Sequence, residues 1–280
     1  MSRRTATLNA PRMLVFAAAG LLFLSLGCNR TSRLPPEEAR AKGDALLKEM
    51  SANMAALQTF AFTADEQRER VSSDGKKSTR TATRRVIVRR PNGIAFTGKG
   101  EMGEVAGWYD GEHITLLSNP HKVWARGPMP PTLDEAIDFL ASEYHLPMPT
   151  ADLFYSSPYD ALMTNDTTGG WVDVQQIGNR SCDHLAYQQE IVDWEIWLEP
   201  KQHLPCQMKI TYKKQPGQPS TTMTYHGLEF PQVSNDTFAA KVPDGYQRIK
   251  IMRHATVKAP APDETTGVTA TSGAEKNKPK

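Results

Sequence analysis

The hydrophobic positions of this chain follow a helical spacing in one early segment and strand-like alternation over most of the remainder. The early set recurs at three- and four-residue intervals: Leu46, Leu47, Met50, Met54 and Leu57. This spacing predicts an amphipathic helix of about 20 residues that begins at Glu37. After Phe60 the apolar residues instead alternate with polar ones, which is the period of a β-strand.

Strand-like segments separated by turn residues are predicted in two stretches. The first stretch contains segments at about 60–71, 78–90, 93–98, 104–109, 112–118 and 122–126. The second contains segments at about 171–178, 181–189, 191–199, 206–214 and 221–230. Turn sequences such as Asp110-Gly111 and Asn119-Pro120 separate neighbouring segments. Short strands joined by tight turns favour an antiparallel meander.

A helical insertion is predicted between the two stretches. Thr132 and Glu135 have the spacing of a capping box. After them, Leu133, Ile137, Leu140 and Tyr144 share one helical face. A weaker helical pattern covers 151–163 and is split at Pro158.

These elements together predict an α+β fold. About eleven antiparallel strands in sequence order either close into a barrel or curl around a core. The helices are the elements available to cover the apolar face of such a sheet. We therefore expect a curled antiparallel sheet, an incomplete β-barrel, closed by an N-terminal helix and an inserted helical lid.

The amino terminus has the features of an export and anchoring signal. Met1–Arg12 is basic, and Met13–Leu26 is an apolar run of about 14 residues, shorter than the roughly 20 of a membrane-spanning helix. Cys28, preceded by glycine directly after this run, resembles the lipidated cysteine of a bacterial lipobox, although Ser25 replaces the commoner leucine. The resemblance implies a membrane tether through Cys28, and Asn29 implies delivery to the outer membrane.

Composition divides the chain into four parts. We expect a signal peptide at 1–27, a tether at 28–36, one domain at 37–254 and a disordered tail at 255–280. The tail contains no Leu, Ile or aromatic residue and so cannot bury enough surface to become ordered.

The charge balance argues against nucleic acid as a partner. The chain has 33 Lys and Arg against 31 Asp and Glu, and three of the arginines belong to the predicted signal peptide. Nucleic-acid affinity requires several phosphates to be neutralised, which a nearly neutral mature chain does not favour. We expect a monomer without a nucleic-acid partner.

A series of short motifs follows a distinctive order along the chain. They are Trp108-Tyr109-Asp110-Gly111, Asn119-Pro120, Val123-Trp124, Thr132-Leu133-Asp134-Glu135-Ala136, Leu146-Pro147, Ala151-Asp152-Leu153, Ser157-Pro158-Tyr159, Cys182-Asp183-His184-Leu185-Ala186 and Val192-Asp193-Trp194-Glu195-Ile196-Trp197. This order resembles an uncharacterised family of predicted periplasmic proteins, which is similar in fold to the lipoprotein-sorting carriers LolA and LolB. The resemblance implies an incomplete barrel around a hydrophobic cavity that receives acyl chains.

The motifs that suggest catalysis or cofactor binding have simpler interpretations. Gly98, Gly100 and Gly103 match GxGxxG, but a dinucleotide site requires a following helix, and a strand pattern follows here. We therefore interpret the motif as a glycine-rich hairpin loop. The seven histidines form no HxH or HExxH pair. Cys182 and His184 lie two residues apart on one strand, about 7 Å, which exceeds hydrogen-bond reach. We expect no cofactor, no metal and no enzymatic activity.

Cys182 and Cys206 leave two interpretations open. They form an even pair once Cys28 is lipidated, and an oxidising compartment favours a disulfide. Strand parity argues against the bond, because Cys206 shares its face with Met208 whereas Cys182 faces away from Leu185. An intervening strand would hold the Cα atoms about 10 Å apart, beyond the limit of about 7 Å, unless a β-bulge intervenes.

The expected cavity has candidate lining residues on the late strands and on the inserted helix. They are Trp194, Ile196, Leu198, Ile210 and Tyr212 on the strands, and Ile137, Leu140 and Tyr144 on the helix. The expected ligands are acyl chains of lipids or lipoproteins. The alternative is a sensory or protein-interaction module on the same fold, with an interior filled by side chains.

Met102 is a candidate membrane contact. It lies in loop 99–103 between Gly100 and Gly103. LolB-like receptors, which the chain resembles, present a hydrophobic residue on a loop between early strands. Burial of such a side chain in a bilayer interface would contribute about 1.5–3 kcal/mol. The alternative is a methionine folded back over the sheet edge.

Overall fold

Residues 34–251, apart from 145, 147 and 165, are described by the structure, a computed structural model. The chain divides into two units, residues 1–33 and residues 34–280, and every described element belongs to the second. The predicted signal peptide, Cys28 and the tail at 255–280 lie outside the described residues. Within the described range, no helix is both long and apolar enough to cross a membrane.

The described residues form a sheet of twelve strands together with short helical elements. The first six strands are β1 (Thr59–Val71), β2 (Lys77–Arg89), β3 (Gly93–Gly100), β4 (Gly103–Tyr109), β5 (His113–Ser118) and β6 (Val123–Pro128). The other six are β7 (Thr168–Ile177), β8 (Arg180–Gln188), β9 (Val192–Leu198), β10 (Pro205–Tyr212), β11 (Ser220–Glu229) and β12 (Gln247–Ile249). The helices are α1 (Pro36–Ala56), α2 (Leu133–Glu143) and α3 (Pro158–Leu162), with 3-10 turns at Ala151–Phe154 and Asn235–Thr237.

The sheet is open, with β12 and β7 at its edges. Its strand order is β12-β6-β5-β4-β3-β2-β1-β11-β10-β9-β8-β7. The eleven strands predicted from alternation are all present, with ends displaced by up to three residues. The prediction of a wholly antiparallel sheet is wrong at one edge, where β12 pairs in parallel with β6. Three residues are too few to display a two-residue period, so alternation does not reveal β12.

α1 lies directly on the backbone of β7. A Cβ atom on Gly43 would be 2.7 Å from the Cα atom of Gly170, and one on Gly170 would be 2.5 Å from the carbonyl oxygen of Ala39. Glycine at both positions therefore permits this close approach. Leu47 and Met50 of α1 become fully buried, in one core cluster with the late strands.

α2 covers the early strands. The Thr132 hydroxyl caps it, accepting from the backbone N–H of Glu135 at 3.4 Å and donating to the Glu135 carboxylate at 2.8 Å. Leu140 and Tyr144 form a buried cluster with Ile114 of β5. The sheet is thus covered by α1 over its late strands and by α2 over its early strands. We call the covered side the inner face.

Cys182 and Cys206 form a disulfide, with Cα atoms 6.8 Å apart. The separation of about 10 Å expected from an intervening strand is wrong for two reasons. β9 ends at Leu198, which pairs with Asp183, so the strand stops before it reaches the level of Cys182. Cys206 occupies a β-bulge in the pairing of β10 with β9, which removes the parity conflict.

Candidate ligand-binding cavity

The inner face of β1 changes from apolar to charged along the strand. Phe60, Phe62 and Ala64 are buried in the core. The next two residues on the same face are Glu66 and Arg68, because side chains two positions apart on a strand share a face. An apolar surface therefore borders a charged one on a single strand.

A cavity of about 460 Å³ spans this boundary, and we call it the lid cavity. Its apolar lining comes from the sheet, from α2 and from the segment after α2: Phe62, Val86, Phe96, Ile114, Leu116, Leu140, Leu146, Met148, Pro149, Phe154 and Met223. Its polar lining consists of Glu66, Arg68, Arg84 and Thr150. The volume lies within the range of about 300–1,000 Å³ usual for small-molecule sites. The lining has the chemistry of a site for an apolar ligand with a polar end.

Arg90 ties the covering segment to the rest of the fold. Its guanidinium donates to the carbonyl oxygens of Phe154 at 2.7 Å and Tyr155 at 3.1 Å. It also donates at 3.5 Å to the carbonyl of Met54 in the last turn of α1. Burial lowers the pKa of Arg90, and the nearby Asp134 carboxylate opposes this effect. One cation therefore links the end of β2, α1 and the wall of the lid cavity.

A second cavity, of about 350 Å³, shares two residues with the lid cavity. Phe62 and Phe154 line both, and their ring centroids are 5.7 Å apart. The opposite side of this second cavity carries Arg180, Glu199 and Lys201. Two aromatic rings thus separate the two spaces.

A smaller groove of about 180 Å³ adjoins the lid cavity at its charged end. Glu66, Arg68 and Arg84 line both. The Glu66 residue is only 4% exposed, and its carboxylate pairs with Arg68 at 2.8 Å and with Arg84. We call this groove the arginine groove.

The structure separates the predicted cavity residues into two groups. Ile137 and Leu140 of α2 and Tyr144 directly after it are buried, and Leu140 lines the lid cavity. The late-strand group packs in the core on the side of α1 and does not line the lid cavity: Trp194, Ile196, Leu198, Ile210 and Tyr212. The two groups therefore do not meet around one space.

Sequence reasoning missed the polar residues of the lid cavity. The alternation from Phe62 through Ala64 to Glu66 and Arg68 was a readable signal, since all four share a face of one predicted strand. The position of Arg84 beside Ala64 depends on the register of β1 with β2. Alternation within one strand does not supply that register.

Met102 lies at the tip of the β3–β4 hairpin. Gly100 pairs with Gly103 across this hairpin, which confirms the interpretation of the glycine motif as a turn between strands. Met102 is 63% exposed, lines the arginine groove and accepts a hydrogen bond on Sδ from Arg80 at 2.6 Å.

His184 is packed among other side chains on the outer face of the sheet, the side opposite the inner face. Its ring stacks on Trp197 with centroids 4.4 Å apart, and its nitrogens contact Asp173 at 3.2 Å and Glu195 at 2.9 Å. Cys182 is committed to the disulfide, so the two do not form a thiol–imidazole pair. Among the residues that the structure describes, no group of His, Cys, Asp and Glu is arranged to hold a metal ion.

A family model matches residues 43–252, which is most of the chain. The family is described as "predicted periplasmic protein (DUF2092)". The chain belongs to this family. The family match confirms the resemblance to predicted periplasmic proteins that the sequence motifs indicate. A comparison of this DUF2092 protein with curated proteins gives no match.

Solved structures with a related arrangement have low similarity to the DUF2092 protein. An uncharacterized conserved protein from Thermus thermophilus has 8% identity and a TM-score of 0.42, covering 74% of this chain and 97% of its own. A LolA superfamily protein from Nitrosomonas europaea has 8% identity and a TM-score of 0.33, covering 71% and 98%. A putative outer membrane lipoprotein-sorting domain from Vibrio parahaemolyticus has 11% identity and a TM-score of 0.32, covering 70% and 96%. At these scores the similarities assign no function.

Proposed function

We propose that this DUF2092 protein is a membrane-tethered periplasmic binder of acyl chains from lipids or lipoproteins, acts as a monomer, and holds the acyl chain in the lid cavity. The observation that carries the proposal is the apolar lining contributed from opposite sides by the sheet and by the α2 segment. Hydrocarbon transferred from water to such a surface gains about 25 cal/mol per Å² buried. The family description as periplasmic supports the location.

The distribution of side chains favours a ligand binder over an interaction module with a filled interior. Around Trp194 and Ile196 of β9 the interior is filled, because both side chains are buried among core side chains. Below α2 the apolar surfaces enclose space instead. A filled interior has no such space for an acyl chain, and this difference supports binding as the function.

The test uses the chain from Asn29 onward, which retains every described element of the fold. Leu146 lines the lid cavity and is 41% exposed, so Leu146→Glu places a charge at the cavity with little disturbance of the core. It should weaken binding of a fluorescent fatty acid at least tenfold, because the charge would be desolvated by the bound chain. Leu140→Glu tests a deeper position if that variant folds.

Ile191→Glu is the matched control, because Ile191 is 60% exposed in the β8–β9 turn and does not line the lid cavity. Its fatty-acid affinity should equal that of the unmodified protein. Absence of probe binding, or equal affinity in Leu146→Glu and Ile191→Glu, contradicts the proposal. If the probe binds as expected, mass spectrometry of lipids that co-purify with the protein identifies the natural ligand.

The proposal includes a signal peptide at 1–27 and a lipid tether on Cys28 in the outer membrane. Two or three acyl chains on one cysteine anchor a protein stably, since each buried methylene contributes about 0.8 kcal/mol. Cys28→Ser should abolish metabolic labelling with radioactive palmitate and release the protein from the membrane fraction. Persistent labelling would show that another residue carries the lipid.

The proposal also places Met102 in contact with the membrane during ligand transfer. Its exposure at a hairpin tip beside the lid cavity supports this role. Met102→Gln, which removes the apolar side chain without adding a charge to the arginine groove, should leave thermal stability and fatty-acid affinity unchanged but slow transfer of the probe to liposomes. Ile191→Gln, with the same uncharged replacement on a similarly exposed side chain, should transfer normally. Equal transfer rates in the two variants would remove Met102 from the mechanism.

A further inference from the structure

Four arginines line the arginine groove, near the turn that joins β1 to β2. Arg68 and Arg70 belong to β1, and Arg80 and Arg84 belong to β2. Arg68 and Arg80 are direct cross-strand partners. Like charges placed opposite each other destabilise a sheet, so this arrangement has an energetic cost unless an anion lies between them.

Two glutamates, Glu66 and Glu101, line the groove and do not balance its four arginines. Glu66 is shared by Arg68 and Arg84, which leaves one net positive charge in that group. Within the described residues, Arg70 and Arg80 contact no carboxylate, and the Arg80 guanidinium lies against the Met102 thioether. Arg80 therefore has guanidinium donors available for a ligand.

The arginine groove is continuous with the lid cavity. Glu66, Arg68 and Arg84 line both spaces, so a molecule seated in the apolar part of the cavity has its end at the guanidinium groups. On the inner face of β1, Phe62 and Arg68 lie six residues apart, a rise of about 20 Å. This length suits an extended molecule with a hydrocarbon chain at one end and an anion at the other.

We propose that Arg68, Arg80 and Arg84 bind the anionic headgroup of an amphiphile whose hydrocarbon chain lies in the lid cavity. The inference rests on the proposed acyl-chain function and adds the charge and direction of the ligand. The headgroup lies at the hairpin and the tail points toward Phe154. Arginine suits this role because its planar fork of donors binds carboxylate or phosphate oxygens in pairs and keeps its charge at all relevant pH values.

The experiment compares three probes on the chain from Asn29 onward: dodecyl phosphate, dodecanol and inorganic phosphate. Calorimetry at low salt, with amphiphiles below their micelle-forming concentrations, gives the affinities. Dodecyl phosphate should bind at least tenfold more tightly than dodecanol. A tenfold difference corresponds to about 1.4 kcal/mol, which is about what one hydrogen bond to a charged group contributes. Inorganic phosphate alone should bind far more weakly than dodecyl phosphate.

Arg80→Gln is the informative variant, because Arg80 is not paired with the buried Glu66 and its loss leaves that carboxylate compensated. It should reduce dodecyl phosphate affinity about tenfold and leave dodecanol affinity unchanged. Arg85→Gln is the matched control. Arg85 is also on β2 but points to the outer face, where it pairs with Glu229 at 2.7 Å, and its loss should change neither affinity.

The outcomes separate this inference from the proposed function. Equal affinities for dodecyl phosphate and dodecanol overturn the headgroup site and leave acyl-chain binding intact. Failure of both amphiphiles overturns acyl-chain binding itself and the headgroup site with it. The inference is also overturned, in favour of a simple anion site, if inorganic phosphate binds as tightly as dodecyl phosphate and Arg80→Gln weakens the binding of both equally.

Discussion

The rings of Phe62 and Phe154, with centroids 5.7 Å apart, form the partition between the two cavities of the inner face. Phe62 belongs to β1 and is fixed by the sheet. Phe154 ends the 3-10 turn after α2, where Arg90 holds its carbonyl oxygen. The partition thus joins a sheet residue to a residue of the covering segment, and its removal would connect about 460 Å³ with about 350 Å³.

Phe154→Ala should therefore extend the length of chain that the protein accommodates. In this variant the affinity for octadecyl phosphate should increase at least tenfold relative to the affinity for dodecyl phosphate. Burial of only two additional methylenes would suffice, because together they contribute about 1.6 kcal/mol. Loss of the ring should also lower the free energy of unfolding by about 3–5 kcal/mol. Competition with a fluorescent fatty acid measures the ratio of the two affinities.

Phe238→Ala is the control for the loss of core packing. Phe238 is also fully buried, but it lies against Gly93 and lines neither cavity. The Phe238→Ala protein should lose about as much stability as the Phe154→Ala protein, without any change in its preference for chain length. An unchanged preference in folded Phe154→Ala protein would show that the two cavities do not become continuous.

Arg90→Gln should loosen the wall of the lid cavity. The substitution removes charged hydrogen bonds to the carbonyl oxygens of Phe154 and Tyr155. We expect a loss of about 1.5–3 kcal/mol in the free energy of unfolding, measured by urea denaturation. Arg85→Gln breaks an exposed ion pair and should cost at most about 1 kcal/mol. Equal losses in the two variants would contradict the structural role assigned to Arg90.

The strands could be predicted from the sequence because each one presents a two-residue period over enough residues. β9 is the clearest case, since Trp194, Ile196 and Leu198 alternate with polar neighbours and all three are buried. The pattern specifies which face of a strand is covered but not by what. Trp194 was expected to face a shared cavity, and instead it stacks on Tyr187 in a filled core with ring centroids 4.3 Å apart.

The candidate site could be predicted only in part, because it depends on contacts between distant segments. Leu140 was identified from its helical face, and the lid cavity includes it. Phe154 and Arg84 were not identified, since one lies in a short turn and the other reaches the site through the register of β2 with β1. The cysteine pair shows the same limit, because a single bulge at Cys206 reverses the conclusion from parity.

The disulfide should contribute substantially to stability. Cys182 and Cys206 are 24 residues apart in sequence, and closing a loop of this length stabilises a fold by about 3 kcal/mol. Joint replacement by Cys182→Ala and Cys206→Ala should lower the free energy of unfolding by that amount. The chain from Asn29 onward should show no reactive thiol before reduction and two afterwards.

The double variant also provides the control for reduction. A reductant should lower the melting temperature of the unmodified protein and leave that of the Cys182→Ala, Cys206→Ala protein unchanged. Two reactive thiols in the folded, unreduced protein would show that the bond does not form.

Glu195 should make the stability of the protein sensitive to acid. Its carboxylate contacts His184 at 2.9 Å and Lys209 at 2.9 Å. The hydrogen bond from His184 is the largest cause that lowers the pKa of Glu195 to about 2, desolvation opposes it, and Lys209 lowers it further. A carboxylate whose pKa is lower in the folded state stabilises the fold above its unfolded pKa. That stabilisation is lost as the pH falls toward the folded value.

The free energy of unfolding should therefore fall between the ordinary Glu pKa of 4.5 and the folded value of about 2, and Glu195→Gln should lack this component. The variant should be less stable than the unmodified protein at pH 7 by about 1–3 kcal/mol, and the difference should shrink as the pH falls. Urea denaturation between pH 7 and pH 3 measures both quantities.

Glu190→Gln is the control, because the Glu190 side chain is 77% exposed in its pair with Lys214 and should change stability by less than about 1 kcal/mol. A constant difference between Glu195→Gln and the unmodified protein across this pH range would show that the contacts of Glu195 do not couple folding to its protonation.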